Sequence, residues 1–449
     1  MIAHPTRSPQ ATSHGHGTPE GRPPLHYEKR LRSHHDALAP LHGLSDGAVT
    51  LGEHLDGREA DARPRAIYVH IPFCRKLCHF CNMRRMKGAP DDTYTERLLR
   101  DMEALTRLPY VADGRYGAIY FGGGTPSTLS AAAFKRILAG LKQHFQLTDD
   151  VEITLESSVT ELTEEKLQAC MNAGVNRVSL GVQTFHDAGR RLLGRSGNGQ
   201  WIAERIRRYR ALGLDNLGMD LIYHYPEQTP EDLAADLHRI AELDLAGFSF
   251  YALMVSDKSR LAHQHPEWTT QTAESLRREW GLFRQIMEHA HDQGFQLLEL
   301  TKLARPGRDR YRYVDLRYQG GDTLPLGAGA GGRLGGMMLM NPLAPEAYEQ
   351  AVNHPGERQG LATRDPYPAF YRFIGGIQFG QVDLSLLPAP CRTAVAAVCA
   401  ERTAQGLLTP VDGERLILTM EGVFWGNNLA AELTATAINA WQRGTDQAD

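Results

Sequence analysis

The sequence predicts an α/β chain: a (β/α) barrel, complete or partial, followed by a mainly helical C-terminal domain. Three observations carry that expectation. Strand-like apolar runs recur at 66–71, 118–121, 151–156, 177–182, 217–222, 248–253 and 295–300. Helical patterns fill the gaps, one with Leu98, Leu99, Met102 and Leu105 on a single face, another with Phe134, Ile137, Leu138 and Leu141. Strands separated by single helices imply parallel pairing, because a parallel neighbour needs a long crossover. After about residue 303 the alternation stops and helical character dominates.

Taken in order, residues 1–60 are rich in Pro, Gly, Ser and His with little periodicity, which predicts a flexible arm. Eight of the 19 histidines fall there: His4, His14, His16, His26, His34, His35, His42 and His54. They are candidates for contact with a metal or metalloporphyrin, since imidazole is a common iron ligand. The barrel core is expected over 61–302, with Gly174 stopping the helical run 164–173. Residues 303–345 form a glycine-rich connecting and substrate segment. Within it 327–336 holds six glycines, followed by Met337, Met338 and Met340. Residues 346–449 make the helical domain, with a small hairpin around 406–419.

At 449 residues the chain can bury a large core, and a net charge of −4 lacks the basic excess of a nucleic-acid binder. No run of 18 apolar residues occurs, so no transmembrane helix is expected, and the N-terminus lacks the apolar stretch of a signal peptide. Six cysteines are present, three of them in one motif. Cys170, Cys391 and Cys399 are scattered on helical patterns and read as ordinary buried thiols. A reducing cytoplasm is the expected location.

That motif carries the chemistry. Cys74, Cys78 and Cys81 lie in Phe73-Cys-Arg-Lys-Leu-Cys-His-Phe-Cys81, directly after the first strand-like run. In a barrel of this kind chemistry gathers in the loops after the strands. A structural zinc site and a ferredoxin-type cluster each take four protein ligands. Three thiolates on a [4Fe–4S] cube leave one iron open to a small molecule. The second run ends in Phe121-Gly-Gly-Gly-Thr-Pro126, where missing side chains allow close backbone approach to a ligand.

The cysteine triad and this glycine stretch together resemble the radical S-adenosylmethionine (SAM) superfamily. The resemblance implies a radical SAM barrel, a [4Fe–4S] cluster on Cys74, Cys78 and Cys81, and SAM bound through the open iron. Over about residues 65–449, Tyr68-Val-His-Ile-Pro-Phe-Cys74, Ile153-Thr-Leu-Glu156, Ser179-Leu-Gly-Val-Gln183 and Met219-Asp-Leu-Ile-Tyr223 look like the HemN branch of oxygen-independent coproporphyrinogen oxidases. There the residues matching Glu156, Gln183, Arg195 and Asp220 help hold SAM. Tyr68, Phe80, Gly123, Gly124 and Thr125 are expected beside them. Two positions depart from the oxidase pattern, Met83 for a further cysteine and His224 for a glycine.

Gly247-Phe-Ser-Phe-Tyr-Ala-Leu253, the glycine-rich 324–336 and Phe424-Trp-Gly-Asn-Asn-Leu429 are similar to anaerobic heme-degrading radical SAM methyltransferases of the ChuW/HutW type. That resemblance implies two SAM molecules. One would give a 5′-deoxyadenosyl radical; the methyl group of the other would be activated and added to heme, opening the ring and releasing iron. Gln319 and Asp322 are then expected at the second SAM, and Tyr251, Tyr313, Trp425 and the Met337–Met340 run against the porphyrin. An electron donor such as flavodoxin or ferredoxin is implied; no nucleic-acid or membrane partner is. The alternatives are coproporphyrinogen III oxidation, heme delivery as a chaperone, and two-SAM methylation of a natural-product aromatic.

Overall fold

The computed structural model describes residues 25–445. Thirteen strands form one sheet, open at both edges, so the barrel is partial. Its centre is parallel: Arg65–Ile71, Arg115–Gly123, Gln146–Ser157, Arg177–Gln183, Leu217–Tyr223 and Gly247–Ala252 follow one another in chain order. Helices Asp92–Leu105, Ala131–His144, Glu164–Ala173, Gly199–Ala211 and Pro230–Glu242 make the crossovers. Each starts on a side-chain cap (Asp91, Ser130, Thr163, Asn198, Thr229) that accepts an N–H the helix itself leaves unbonded. Gly174 ends its helix in the left-handed region at φ +118, as the sequence predicts.

The run at 295–300 departs from expectation. Gln296–Glu299 turns at 300–301 into Lys302–Ala304, which inserts antiparallel between it and Gly247–Ala252. Gly247 permits the insertion, because a Cβ there would lie 2.6 Å from the Leu303 carbonyl oxygen. The seventh parallel strand is Thr323–Leu326, laid on the outer side of Arg65–Ile71. Beyond it Gly331–Leu334, Met337–Met340, Gln359–Thr363 and Ser45–Thr50 extend the sheet antiparallel. Gly332 serves this pairing: any side chain would collide with the Thr323 carbonyl.

Helices Tyr367–Gln378, Ala389–Ala404 and Gly426–Thr445 follow the main sheet; Leu408–Pro410 and Arg415–Leu418 form the expected hairpin, and Gln381–Asp383 joins it as a third strand. Leu300 N–H bonds the Gln378 carbonyl at 2.8 Å, joining this region to the last strands.

Residues 25–60 are not a flexible arm. Asn427 and Asn428 donate from their amides to the Leu31 and Lys29 carbonyls at 3.1 and 2.9 Å, and Asn428 accepts from Leu31 N–H at 2.9 Å. Arg30 donates to the Tyr223 hydroxyl at 2.9 Å and the Phe424 carbonyl at 2.6 Å. Arg32 donates to the Leu253 carbonyl at 2.9 Å, and both arginines pair with buried Glu279. These polar bonds act beside apolar anchors, since Ala37, Leu41, Leu44, Leu51 and Leu55 are buried in the core. Trp425, 1% exposed beside Tyr27 and Phe424, belongs to the core under this segment and not to a substrate wall. His4, His14 and His16 lie outside the described residues.

Among the described residues no helix is long and apolar enough to cross a membrane.

Candidate active site at the carboxyl end of the sheet

The first parallel strand ends at Ile71, and the cysteine loop follows. Short strands Phe73–Cys74 and Met86–Lys87 pair and close it at its base. His79 anchors the loop: its Nδ1 bonds the Leu192 carbonyl at 2.9 Å, its N–H the Leu193 carbonyl at 3.1 Å, and its own carbonyl accepts from Leu261. Phe80 packs against a small apolar cluster of Leu193, Ile222, Tyr225, Leu253 and Leu261. It therefore steadies the loop from below.

The glycine stretch lies directly on this loop. Gly124 N–H bonds the Ile71 carbonyl and Thr125 N–H the Phe73 carbonyl, both at 2.8 Å. A Cβ on Gly124 would stand 2.5 Å from the Phe73 oxygen, so the contact requires glycine. Gly123 has φ +110, and a Cβ there would meet the His70 ring at 2.6 Å. Thr125 Oγ1 is 3.5 Å from Cys74 Sγ. Arg195 Nη1 donates to Cys78 Sγ at 3.1 Å and Nη2 to the Gly181 carbonyl, tying the loop to the fourth strand. Burial pushes the Cys74 thiol up; the Thr125 hydroxyl opposes this, and the nearby Cys81 and Cys78 thiols add to the rise.

Inside the partial barrel, every second residue of the strands is polar or glycine. Tyr68, His70, Tyr120, Gly122, Glu156, Ser179, Gly181, Asp220, Ser249 and Tyr251 line neighbouring strands. Glu156 accepts from the Tyr120 hydroxyl, and Asp220 accepts from Ser179 Oγ at 3.3 Å. Tyr313 stacks on Tyr120 at 4.6 Å and lies 6.1 Å from Tyr68. Tyr251 is 36% exposed, and Glu156, Asp220 and Glu299 also keep part of their surface accessible. Yet burial is the leading influence on all four, pushing Glu156 and Glu299 up to about 7 and raising Asp220. All four are thus largely enclosed and partly accessible. Gln183 takes φ +75, a strained backbone for a non-glycine residue at the end of the fourth strand.

Gln319 and Asp322 do not join this site. Gln319 is exposed at the end of helix Arg312–Tyr318 with its amide on Asp315 at 2.5 Å. Asp322 accepts from the Tyr110 hydroxyl at 2.6 Å, and its carbonyl accepts from Ala66 N–H at the start of the first strand. Because Thr323–Leu326 runs parallel to Arg65–Ile71, residues before it stay at the amino end while Gly327 and Gly329 after it reach His70. Nearness in sequence to the glycine-rich run misplaced both. Conversely, Tyr120, Ser179, Ser249 and Glu299 went unnoticed in the sequence, although polar residues at alternate strand positions are their signal.

The residues present fit a three-thiolate cluster with a bound adenosyl ligand. The three thiols neighbour one another, and the remaining cysteines are buried on helices Glu164–Ala173 and Ala389–Ala404. Among the described residues no three His, Cys, Asp or Glu side chains already stand close enough to hold a metal, so the loop would tighten on a cluster. His70 Nε2 is buried without a partner, beside the backbone cradle of Gly122–Gly124. Glu156 and Asp220 retain acceptor capacity suited to hydroxyl groups.

The family model of the radical SAM superfamily matches residues 68–240. An anaerobilin synthase of Escherichia coli O157:H7 is 30% identical over 390 residues, covering 85% of this chain and 86% of the relative. A heme chaperone HemW of Escherichia coli K12 is 28% identical over 77% of this chain and 92% of its own. Among solved structures, coproporphyrinogen III oxidase (HemN) from Escherichia coli, a radical SAM enzyme, superposes with a TM-score of 0.72. Its identity is 25% over 86% of this chain and 92% of that one.

Proposed function

We propose, on the premise that this chain belongs to the radical SAM superfamily in its HemN-like branch, that it is a C-methyltransferase using two SAM molecules on heme, opening the porphyrin and releasing iron without oxygen. Its cofactors are a [4Fe–4S] cluster and SAM. When bound, they supply a one-electron cleavage that generates a carbon radical.

The chain's own residues seat, orient and shield. Cys74, Cys78 and Cys81 would hold the cluster, and their loop offers no fourth cysteine. Arg195, between Cys78 and Gly181, keeps the loop in register with the fourth strand. The backbone of Gly122–Gly124 accepts close approach by SAM, and Glu156 and Asp220 receive its hydroxyls. Tyr68, Tyr313 and Tyr120 form an aromatic cluster, with Tyr251 on a neighbouring strand, and aromatic surface of this kind suits a flat macrocycle. A reducing cytoplasm suits such a centre.

The observation that carries this reading is the extent of the likeness to the anaerobilin synthase, more than four-fifths of both chains. A second reading, oxidation of coproporphyrinogen III, is favoured by the likeness to HemN over 92% of that structure. One anaerobic assay with methyl-labelled SAM, reductant and either tetrapyrrole separates them by mass spectrometry. Labelled open-chain tetrapyrrole and free iron are expected from heme. Carbon dioxide from coproporphyrinogen with heme unaltered would install the second reading, and heme bound but unchanged and passed to an acceptor would indicate a chaperone.

A further inference from the structure

The cysteine loop has an outer face that the chemistry above leaves unused. From Cys74 to Pro90 the chain carries five cations, Arg75, Lys76, Arg84, Arg85 and Lys87, and no Asp or Glu, although the whole chain has a net charge of −4. All but Arg85 are exposed. Only Arg75 has an ion pair among the described residues, with Glu161 at 3.1 Å. Lys76 Nζ donates instead to Ser196 Oγ at 2.8 Å, Arg84 Nη1 to Met340 Sδ at 3.0 Å, and Arg85 Nη1 to the Met83 carbonyl at 2.8 Å. Exposed arginines elsewhere are matched by acids, as in Arg136–Glu96, Arg207–Glu242 and Arg392–Glu414. Like charges left unmatched at one place create a positive local potential in an acidic chain.

Folding brings two more cations to the loop. The His79 carbonyl accepts from Leu261 N–H at 3.0 Å, and its ring bonds the Leu192 carbonyl at 2.9 Å. Arg260 and Arg191, the residues before those partners, are exposed and have no ion pair among the described residues. Apolar side chains stand among the charges: Leu77 is 39%, Met83 52% and Met340 54% exposed. Cys74 is buried, whereas Cys78 and Cys81 are half-buried, with exposed Leu77 and Asn82 as their chain neighbours. The exposed face thus begins one residue away from two of the cluster's ligands.

Arg and Met are enriched in protein interfaces, and exposed thioethers give nothing to a phosphate. SAM cleavage consumes one electron, and tunnelling favours its entry where the cluster stands closest to the surface. We propose that this face of the cysteine loop docks a small acidic electron-carrier protein. In the docked pair the carrier's low-potential centre is oxidised by one electron and the cluster is reduced by that electron; no bond forms or breaks. This rests on the cluster reading above, whichever tetrapyrrole is the substrate, and adds the entrance through which the electron arrives.

The test uses the full chain with its cluster reconstituted anaerobically and a bacterial flavodoxin as the probe. Calorimetry reads their affinity, and stopped-flow absorbance reads cluster reduction by flavodoxin hydroquinone in the absence of SAM. Lys76→Glu/Arg84→Glu/Lys87→Glu should weaken binding and slow reduction about tenfold or more at low salt, and added salt should weaken the wild type toward the variant. Leu77→Ala/Met83→Ala should weaken binding by a smaller factor that salt leaves unchanged. Unaltered cluster absorbance and full reduction by saturating dithionite report that each variant keeps its centre. Flavodoxin binding and reduction that the charge reversal leaves unchanged overturn the proposal, as does a wild type reduced by neither flavodoxin nor an acidic ferredoxin. Tighter binding of phosphatidylglycerol vesicles than of flavodoxin, lost in the same variant, would give the face to a lipid surface and overturn it too. A reconstituted wild type without cluster absorbance defeats the cluster reading itself, and this proposal with it.

Discussion

At the amino end of the barrel interior, Arg177 bonds both oxygens of Asp309 at 2.9 and 3.1 Å, and Lys302 stands 3.3 Å from the same carboxylate. Arg177 also lies 4.3 Å over the Tyr311 ring. At the carboxyl end, Glu156, Asp220 and Glu299 are surrounded by protein too, but none has an ion-pair partner among the described residues. Burial acts in the same direction at both ends. At Asp309, Arg177 and Lys302 reverse it and hold the carboxyl well below the usual range; at Glu156 and Glu299 nothing does, and the carboxyls rise to about 7. The lesson is that a buried charge satisfied from within is architecture, whereas one left open is addressed to a ligand.

The contrast breaks most completely at the mouth. Replacing Cys74, Cys78 or Cys81 by alanine should abolish cluster absorbance and all SAM cleavage, with far-ultraviolet circular dichroism unchanged. At the floor the order of effects inverts. Arg177→Ala leaves Asp309 with Lys302 as its only ion-pair partner among the described residues and should cost about 3–5 kcal/mol in denaturant unfolding. Glu156→Gln should instead leave stability equal or higher while cutting SAM cleavage about tenfold or more through the lost charged hydrogen bonds. Equal destabilisation by these two substitutions would erase the distinction.

A milder effect is the pH dependence of the SAM-free protein. Between their ordinary 4.5 and about 7, Glu156 and Glu299 stay protonated in the folded chain after the unfolded chain has released those protons. Stability therefore falls as pH rises through that window, on the order of 1–3 kcal/mol per carboxyl. Asp309 works the other way: its contribution is complete at neutral pH and lost as pH drops below the ordinary carboxylate range. Unfolding midpoints across pH 4.5–7 check this, and Glu156→Gln with Glu299→Gln should flatten the slope. The smallest effect belongs to Gln319→Ala, which should change stability by less than about 0.5 kcal/mol and leave SAM cleavage untouched; a marked loss would return Gln319 to the site.

The six successive strands were legible because each is an apolar run separated from the next by a helical stretch. The cysteine loop was legible because its ligands are adjacent in sequence. What escaped was fixed by single long-range contacts. Nothing local to 25–38 announces that Asn427 and Asn428 will hold it. The two-residue turn at 300–301 made a hairpin of a run that reads like another barrel strand. Gln319 misled because position along the chain does not say which end of a parallel strand it abuts.

The amides of Asn427 and Asn428 reach back almost 400 positions to grip Lys29 and Leu31. A ribosome making this chain therefore releases the gripping helix only after every strand and the cysteine loop have emerged. Until that stretch is free, the front of the polypeptide lacks this clasp and can reach only earlier partners such as Tyr223, Leu253 and Glu279.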